Sequence, residues 1–199
     1  MTDPKIDSIL DEANRLFLQG KLEESIVYYD KILQENPDNL SSLNNKGYAL
    51  SKLKLFDDAL KCYDAALSLD SSDISIIVNK ISTLRKKGDY AKALQYCNII
   101  LDENPNYNIA LYHKERILFH LEDFTESLKC CNQILSDYPK NADVLYDKAC
   151  NLVMLSKISE GLCMLEQIIS QDIRYKFKVR NSACFKPLMN DKKLQQLIS

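Results

Sequence analysis

Residues 36–50 read NPDNLSSLNNKGYAL, a Pro-Asp-Asn break set directly before a helical pattern that carries a glycine. Alone, such a break marks only a loop; its recurrence decides the fold. ENPDNLSSL at 35–43 returns as ENPNYNIAL at 103–111 and as DYPKNADVL at 137–145, and LDSSDISII at 69–77 keeps the shape with Ser71 in the place of proline. The interval is 34 residues, and the lines 6–39, 40–73, 74–107, 108–141 and 142–175 align without insertion or deletion. A period of this size is the signature of stacked repeats.

The columns of that alignment define the unit. Ile9, Leu43, Ile77, Leu111 and Leu145 share one column, and Leu16, Leu50, Leu84, Leu118 and Leu152 stand seven residues further on, back on the same helix face. A turn column follows, Gly20, Lys54, Gly88, Glu122 and Ser156. A second apolar stripe then runs through Ile26, Leu60, Leu94, Leu128 and Leu162 to Leu33, Leu67, Leu101, Leu135 and Ile169. Each unit is therefore expected to be an antiparallel helical pair, with Pro37, Pro105 and Pro139 ending second helices. The small column Ser25, Ala59, Ala93, Ser127 and Gly161 lets the paired backbones approach, and no credible strand is present.

The unit resembles the tetratricopeptide repeat. The resemblance rests on Gly47 followed by Leu50, Gly88-Asp89-Tyr90 at the internal turn, Ala59 and Ala93 in second helices, the runs YYDKIL and CYDAAL, and the terminal proline, all repeated in register. Glu115 and Ile81 depart from it, standing where Ala13, Gly47 and Ala149 are small. The resemblance implies an all-α fold, a right-handed superhelical solenoid of five 34-residue helix-turn-helix repeats with a C-terminal capping helix, the cap spanning 176–199 and its final helix starting at Asn190-Asp191, residues 1–199 forming a single domain.

Composition is that of an ordinary globular protein: 46% hydrophobic, 27% charged, net charge −2 and a pI near 5.8. Such a balance lacks the basic footprint of a nucleic-acid binder. No apolar run reaches the ~20 residues of a membrane span, and the start MTDPKIDSIL has neither the basic nor the apolar region of a signal peptide. The expected location is cytoplasmic, with no nucleic acid and no membrane as partner.

Seven cysteines raise the question of metal or disulfides. Cys62, Cys97, Cys130, Cys131 and Cys163 fall within adjacent second-helix columns shared with tyrosines and read as packing residues; the number is odd and no Cys-x-x-Cys pair occurs. Cys184 lies outside the repeats. His113 and His120 share a helix face but have no companion at a metal-ligand spacing. We expect no metal, no cofactor and no catalytic residue, and read the chain as not an enzyme. The column Lys46, Lys80, Lys114 and Lys148 is expected to pair with Asp30, Asp64, Asn98 and Asn132 on the preceding helix.

Function is therefore expected on the surface that stacking creates. The resemblance implies a concave groove lined by first helices, here Asn14, Phe17, Asn44, Asn45, Tyr48, Asn79, Arg85, Tyr112, His113, Arg116, Phe119 and Tyr146, with Leu10, Asp147, Cys150 and Val153 nearby. Asn45 and Asn79, one repeat apart, suit backbone amides of an extended peptide; the tyrosines suit apolar anchors; Arg85 and Arg116 suit an acidic ligand. The carboxylate clamp of chaperone-binding family members is rejected: Asn14 and Asn45 match, but Leu10, Ser75 and Asn79 replace its cations. The expected function is a protein-interaction scaffold binding a peptide or partner segment; the alternative is a self-associating structural protein, and a weak homo-oligomer fits either. Phe177, Val179, Phe185, Leu188, Leu194, Leu197 and Ile198 are expected to close the last unit.

Overall fold

The computed structural model describes residues 4–199. The described residues are helical, with no strand among them. Ten helices form five pairs: α1 Pro4–Leu18 and α2 Leu22–Glu35; α3 Leu40–Lys52 and α4 Phe56–Leu69; α5 Ile74–Lys87 and α6 Tyr90–Glu103; α7 Asn108–His120 and α8 Phe124–Asp137; α9 Ala142–Met154 and α10 Ile158–Gln171. Two compact units divide inside α6, one of residues 1–96 and one of 97–199. In the first, α1 to α5 each pack on the next; in the second, α7 to α10 do so.

The internal turn has one physical solution used five times. Gly20, Lys54, Gly88, Glu122 and Ser156 all take a left-handed φ, between 61° and 89°. The amide of the next residue then reaches back to the last helical turn: Lys21 N–H to Leu16 O at 3.0 Å, Asp89 N–H to Leu84 O at 2.9 Å, Lys157 N–H to Leu152 O at 2.8 Å. This closure satisfies carbonyls that a helix end leaves open. Between pairs, Asn39, Asp73 and Asn141 cap the following helix by accepting from Ser42, Ile76 and Val144 N–H at 2.9, 3.1 and 3.2 Å.

The small column is buried throughout, with Ser25, Ala59, Ala93 and Ser127 at 0% exposure. Gly47 shows why size matters across a pair: a Cβ there would stand 2.8 Å from the Tyr63 ring of α4. Tyr63 fills that space and, with Leu43, Leu50, Ala66 and Ile76, makes a core cluster of the first unit. In the second unit Leu145, Leu162, Leu165 and Ile168 continue into the closing segment through Val179, Phe185 and Leu194.

The closing segment comprises α11 Arg174–Arg180, a 3-10 helix Ala183–Leu188 and the final helix α12 Lys192–Ile198, which starts after Asn190-Asp191 with Asp191 as its cap. Two expectations need correcting. Phe177 is 72% exposed rather than packed, since Tyr175 and Val179 take the inward face of α11. Cys163 is exposed on α10, whereas Cys62, Cys97, Cys130 and Cys131 are buried as packing residues.

The lysine column forms the expected ladder in three steps, each spanning 16 residues. Lys46 bonds Asp30 at 2.5 Å, Lys80 bonds Asp64 at 2.5 Å and Lys114 bonds Asn98 at 2.8 Å. Lys80 is 8% exposed, and its ammonium also contacts the Tyr96 hydroxyl and lies 4.2 Å from the centre of that ring.

Candidate peptide-binding faces

In the first unit the expected groove residues stand on α1, α3 and α5. Asn14 is the hub of a polar cluster, its carbonyl accepting from the Tyr29 hydroxyl at 2.8 Å and from Asn45 Nδ2 at 3.0 Å. Burial pushes the Tyr29 phenol up to about 12, so it stays neutral and donates. One repeat on, Asn79 Nδ2 donates to Asn44 Oδ1 at 3.0 Å. Asn45 and Asn79 thus each spend one amide N–H on a neighbouring repeat, and the amide inventory leaves each a second donor and acceptor capacity. Behind them the Thr83 hydroxyl donates to Asn79 O at 2.9 Å and accepts from the Ser51 hydroxyl at 2.8 Å, fixing α5 on α3.

Aromatic rings stand beside this polar row. Phe17 and Tyr48 meet with ring centres 5.4 Å apart, and Lys52 sits 5.3 Å from the Tyr48 ring. Asn14, Phe17, Leu18, Tyr29, Asn45 and Tyr48 enclose a cleft of ≈ 180 Å³. Leu18 at its edge is 84% exposed. The cleft offers an apolar wall and amide groups within one side chain's reach. Arg85, half-buried in the last turn of α5, lies further along the same helix as Asn79.

The second unit treats its corresponding positions differently. Arg116 stacks over the Tyr112 ring at 4.4 Å and donates to Asp147 Oδ2 at 3.0 Å. The cation expected to recruit an acidic ligand is already neutralised by a carboxylate on the next repeat. His113 is 8% exposed, edge-on to Tyr112 at 6.1 Å, and Phe119 packs on Phe124 at 5.2 Å. Tyr146 is 6% exposed: Tyr175 and Phe185 pack against it at 5.8 and 5.9 Å, and Lys178 lies 4.0 Å from its ring centre. Lys178 is in turn bonded to Asp143 at 3.0 Å, as is the Tyr175 hydroxyl at 2.9 Å. The closing segment therefore occupies the face of α9 that carries Tyr146.

Beneath this face lies a feature the columns flag only as an oddity. Glu115 is 2% exposed, held by the Ser127 hydroxyl at 3.1 Å and Asn151 Nδ2 at 3.4 Å. Burial, with Asp147 close by, pushes its carboxyl up to about 7. Burial likewise raises Asp147, against the pull of Arg116.

Two stretches match the family model described as Tetratricopeptide repeat, residues 41–73 and 79–149, together more than half of the chain. The chain belongs to the tetratricopeptide repeat family. Solved relatives agree in fold. A tetratricopeptide repeat protein from Parabacteroides merdae is 20% identical, with a TM-score of 0.85 over 98% of this chain and 78% of its own. YrrB, described as a tetratricopeptide repeat protein with an unusual peptide-binding site, is 20% identical, with a TM-score of 0.67 over 82% and 84%. MamA from Desulfovibrio magneticus RS-1 is 17% identical, with a TM-score of 0.79 over 86% and 99%. At these identities the likeness is one of fold. Curated proteins give no sequence match. Tetratricopeptide repeat proteins are in general scaffolds for protein–protein interaction, and that level of function applies here. Among the described residues no helix is long and apolar enough to cross a membrane.

Proposed function

We propose that this tetratricopeptide repeat protein holds an extended segment of a partner protein against α1, α3 and α5 of its first unit. The observation that carries the reading is the Phe17–Tyr48 cleft opening beside the Asn14–Asn45 and Asn44–Asn79 pairs. An extended peptide presents main-chain amides along its length and a side chain at alternate positions. The asparagines supply donors and acceptors for the first, and the ring-lined cleft accepts one apolar side chain as the second. The solved relative YrrB, described as having an unusual peptide-binding site, supports the reading by analogy of fold.

The test is selection from a displayed library of unstructured peptides, followed by binding measurements on the selected sequences. Selected peptides should share one apolar residue without a fixed charge. A Phe17→Ala, Tyr48→Ala double variant should bind them at least ~10-fold more weakly, as loss of an aromatic anchor does. Full affinity in that variant, with helicity intact, overturns the reading. Sedimentation of the free protein addresses self-association: a tight oligomer that Leu18→Ser dissolves would show the same exposed edge binding another copy instead.

A further inference from the structure

Cys150 and Cys184 belong to different elements, α9 and the 3-10 helix, yet meet in one core cluster beneath the closing segment. The 3-10 helix packs on α9, and the Cys150 and Cys184 side chains lie within interaction range of each other there. The two sulfurs differ in access, Cys150 being 4% exposed and Cys184 half-buried. A small oxidant reaches one of them and finds the other already in contact with it.

We propose that Cys150 and Cys184 form a reversible disulfide site, oxidised by hydrogen peroxide, that ties the closing segment to the last repeat. Cys184 attacks one peroxide oxygen; the S–O bond forms, the O–O bond breaks, and the departing hydroxide takes a proton to become water. The Cys150 sulfur then attacks the Cys184 sulfenic sulfur, so that S–S forms, S–O breaks and a second water leaves with the Cys150 proton. Two thiols lose two electrons and two protons, and one peroxide is reduced to two waters.

The local electrostatics sort the roles. The neighbouring Cys150 thiol, opposed by burial, holds the Cys184 thiol below its ordinary value, and Cys184 is also the more accessible of the two. The neighbouring Cys184, and burial after it, drive Cys150 far upward, keeping it a thiol until it resolves the sulfenic acid. A low-pKa accessible sulfur beside a second thiol is the arrangement that oxidises selectively. Burial instead raises Cys130 to about 11 and pushes Cys131 beyond that. The loop closed by the bond contains α10 and α11, so oxidation restricts the unfolded chain and holds the 3-10 helix on α9.

The full chain is treated with substoichiometric hydrogen peroxide in native buffer and in urea, alkylated, digested without reduction and mapped by mass spectrometry. The expected product is a Cys150 peptide joined to a Cys184 peptide, lighter by two hydrogens, reversed by dithiothreitol and accompanied by a raised melting temperature. In Cys150→Ser, dimedone should label Cys184 as the sulfenic acid; in Cys184→Ser, no linkage should form and the melting temperature should not respond to peroxide. Circular dichroism checks that both variants fold. Oxidation at exposed Cys163 ahead of the pair, or a Cys150–Cys184 linkage that forms only in urea, overturns the proposal.

Discussion

Glu115→Gln tests the electrostatics of the second unit most directly. Glu115 lies in a column otherwise filled by Ala13, Gly47, Ile81 and Ala149, and is 2% exposed. Its carboxyl is raised from 4.5 to about 7 by burial first and the neighbouring Asp147 second, with the Ser127 bond, Arg116 and the Asn151 bond opposing. A raised carboxyl binds its proton more tightly folded than unfolded. Stability is therefore highest while Glu115 is protonated and falls as pH rises between the unfolded and folded values. At roughly 1.4 kcal/mol per pH unit, the shift amounts to ~3 kcal/mol lost by the second unit between about pH 4.5 and pH 8.

Glutamine has the shape of the protonated acid and cannot ionise. Ser127 and Asn151 keep their other bonds, to Glu115 O at 3.1 Å and Asp147 O at 3.0 Å, so neither loses its last partner. Urea unfolding followed by circular dichroism at pH 5, 6, 7 and 8 is the assay, read on the transition that melts α7–α9. Wild type should lose stability across this range and Glu115→Gln should not, so that the variant is the more stable by ~3 kcal/mol at pH 8 and nearly equal at pH 5. Parallel curves would refute the argument, showing that Glu115 ionises in the fold without penalty.

Three further outcomes follow from the packing. Replacing Lys54, Glu122 or Ser156 by Gly removes a side chain from a left-handed turn and should raise stability by about 0.5–1 kcal/mol each after the entropy of glycine in the unfolded chain is set against the relief; calorimetry showing no gain at any of the three would refute it. Gly47→Ala drives a Cβ to 2.8 Å from the Tyr63 ring and should cost about 1–3 kcal/mol in urea unfolding, while Gly47→Ala with Tyr63→Leu should recover part of that cost. Lys80→Met keeps the buried stem and leaves Asp64, whose side chain is 61% exposed, to water, so it should cost under ~1 kcal/mol, whereas Lys80→Ala should cost about twice as much through lost packing; equal costs would mean that the charge matters more than the stem.

The repeat made most of the fold legible because helix pairs bury the same columns every 34 residues. The turn column was visible although only Gly20 and Gly88 are glycine, since the left-handed closure is imposed by the helix end and Lys54, Glu122 and Ser156 are carried into it. The Lys46–Asp30 and Lys80–Asp64 pairs were legible because both partners are periodic. What escaped was non-periodic. Tyr146 sits in a column whose other members line first helices, but the segment that covers it comes after the last repeat and follows no column. The pairing of Arg116 with Asp147 was equally hidden, because no other member of the Arg116 column is basic and Asp11, the one earlier acid in the Asp147 column, has no basic partner there.

That last pair also bears on where a ligand would bind. Asn14 with Asn45 and Arg116 with Asp147 occupy the same two columns, each pair 31 residues apart, so one contact between neighbouring repeats is built with two chemistries. The amide pair is neutral, and its members keep hydrogen-bonding capacity beyond the bond they share. A charged pair saturates itself: Arg116 and Asp147 answer each other, Tyr112 stacks on the guanidinium, and a ligand carboxylate would have to displace Asp147 and leave it half-desolvated and unpartnered. Face for face, the first unit offers unspent amides beside an open ring-lined cleft, while the second has turned the same register into internal structure and covered Tyr146 with its own closing segment. Single repeats of one family can thus be equivalent in backbone and unequal as binding surface, the difference lying in the residues at two columns.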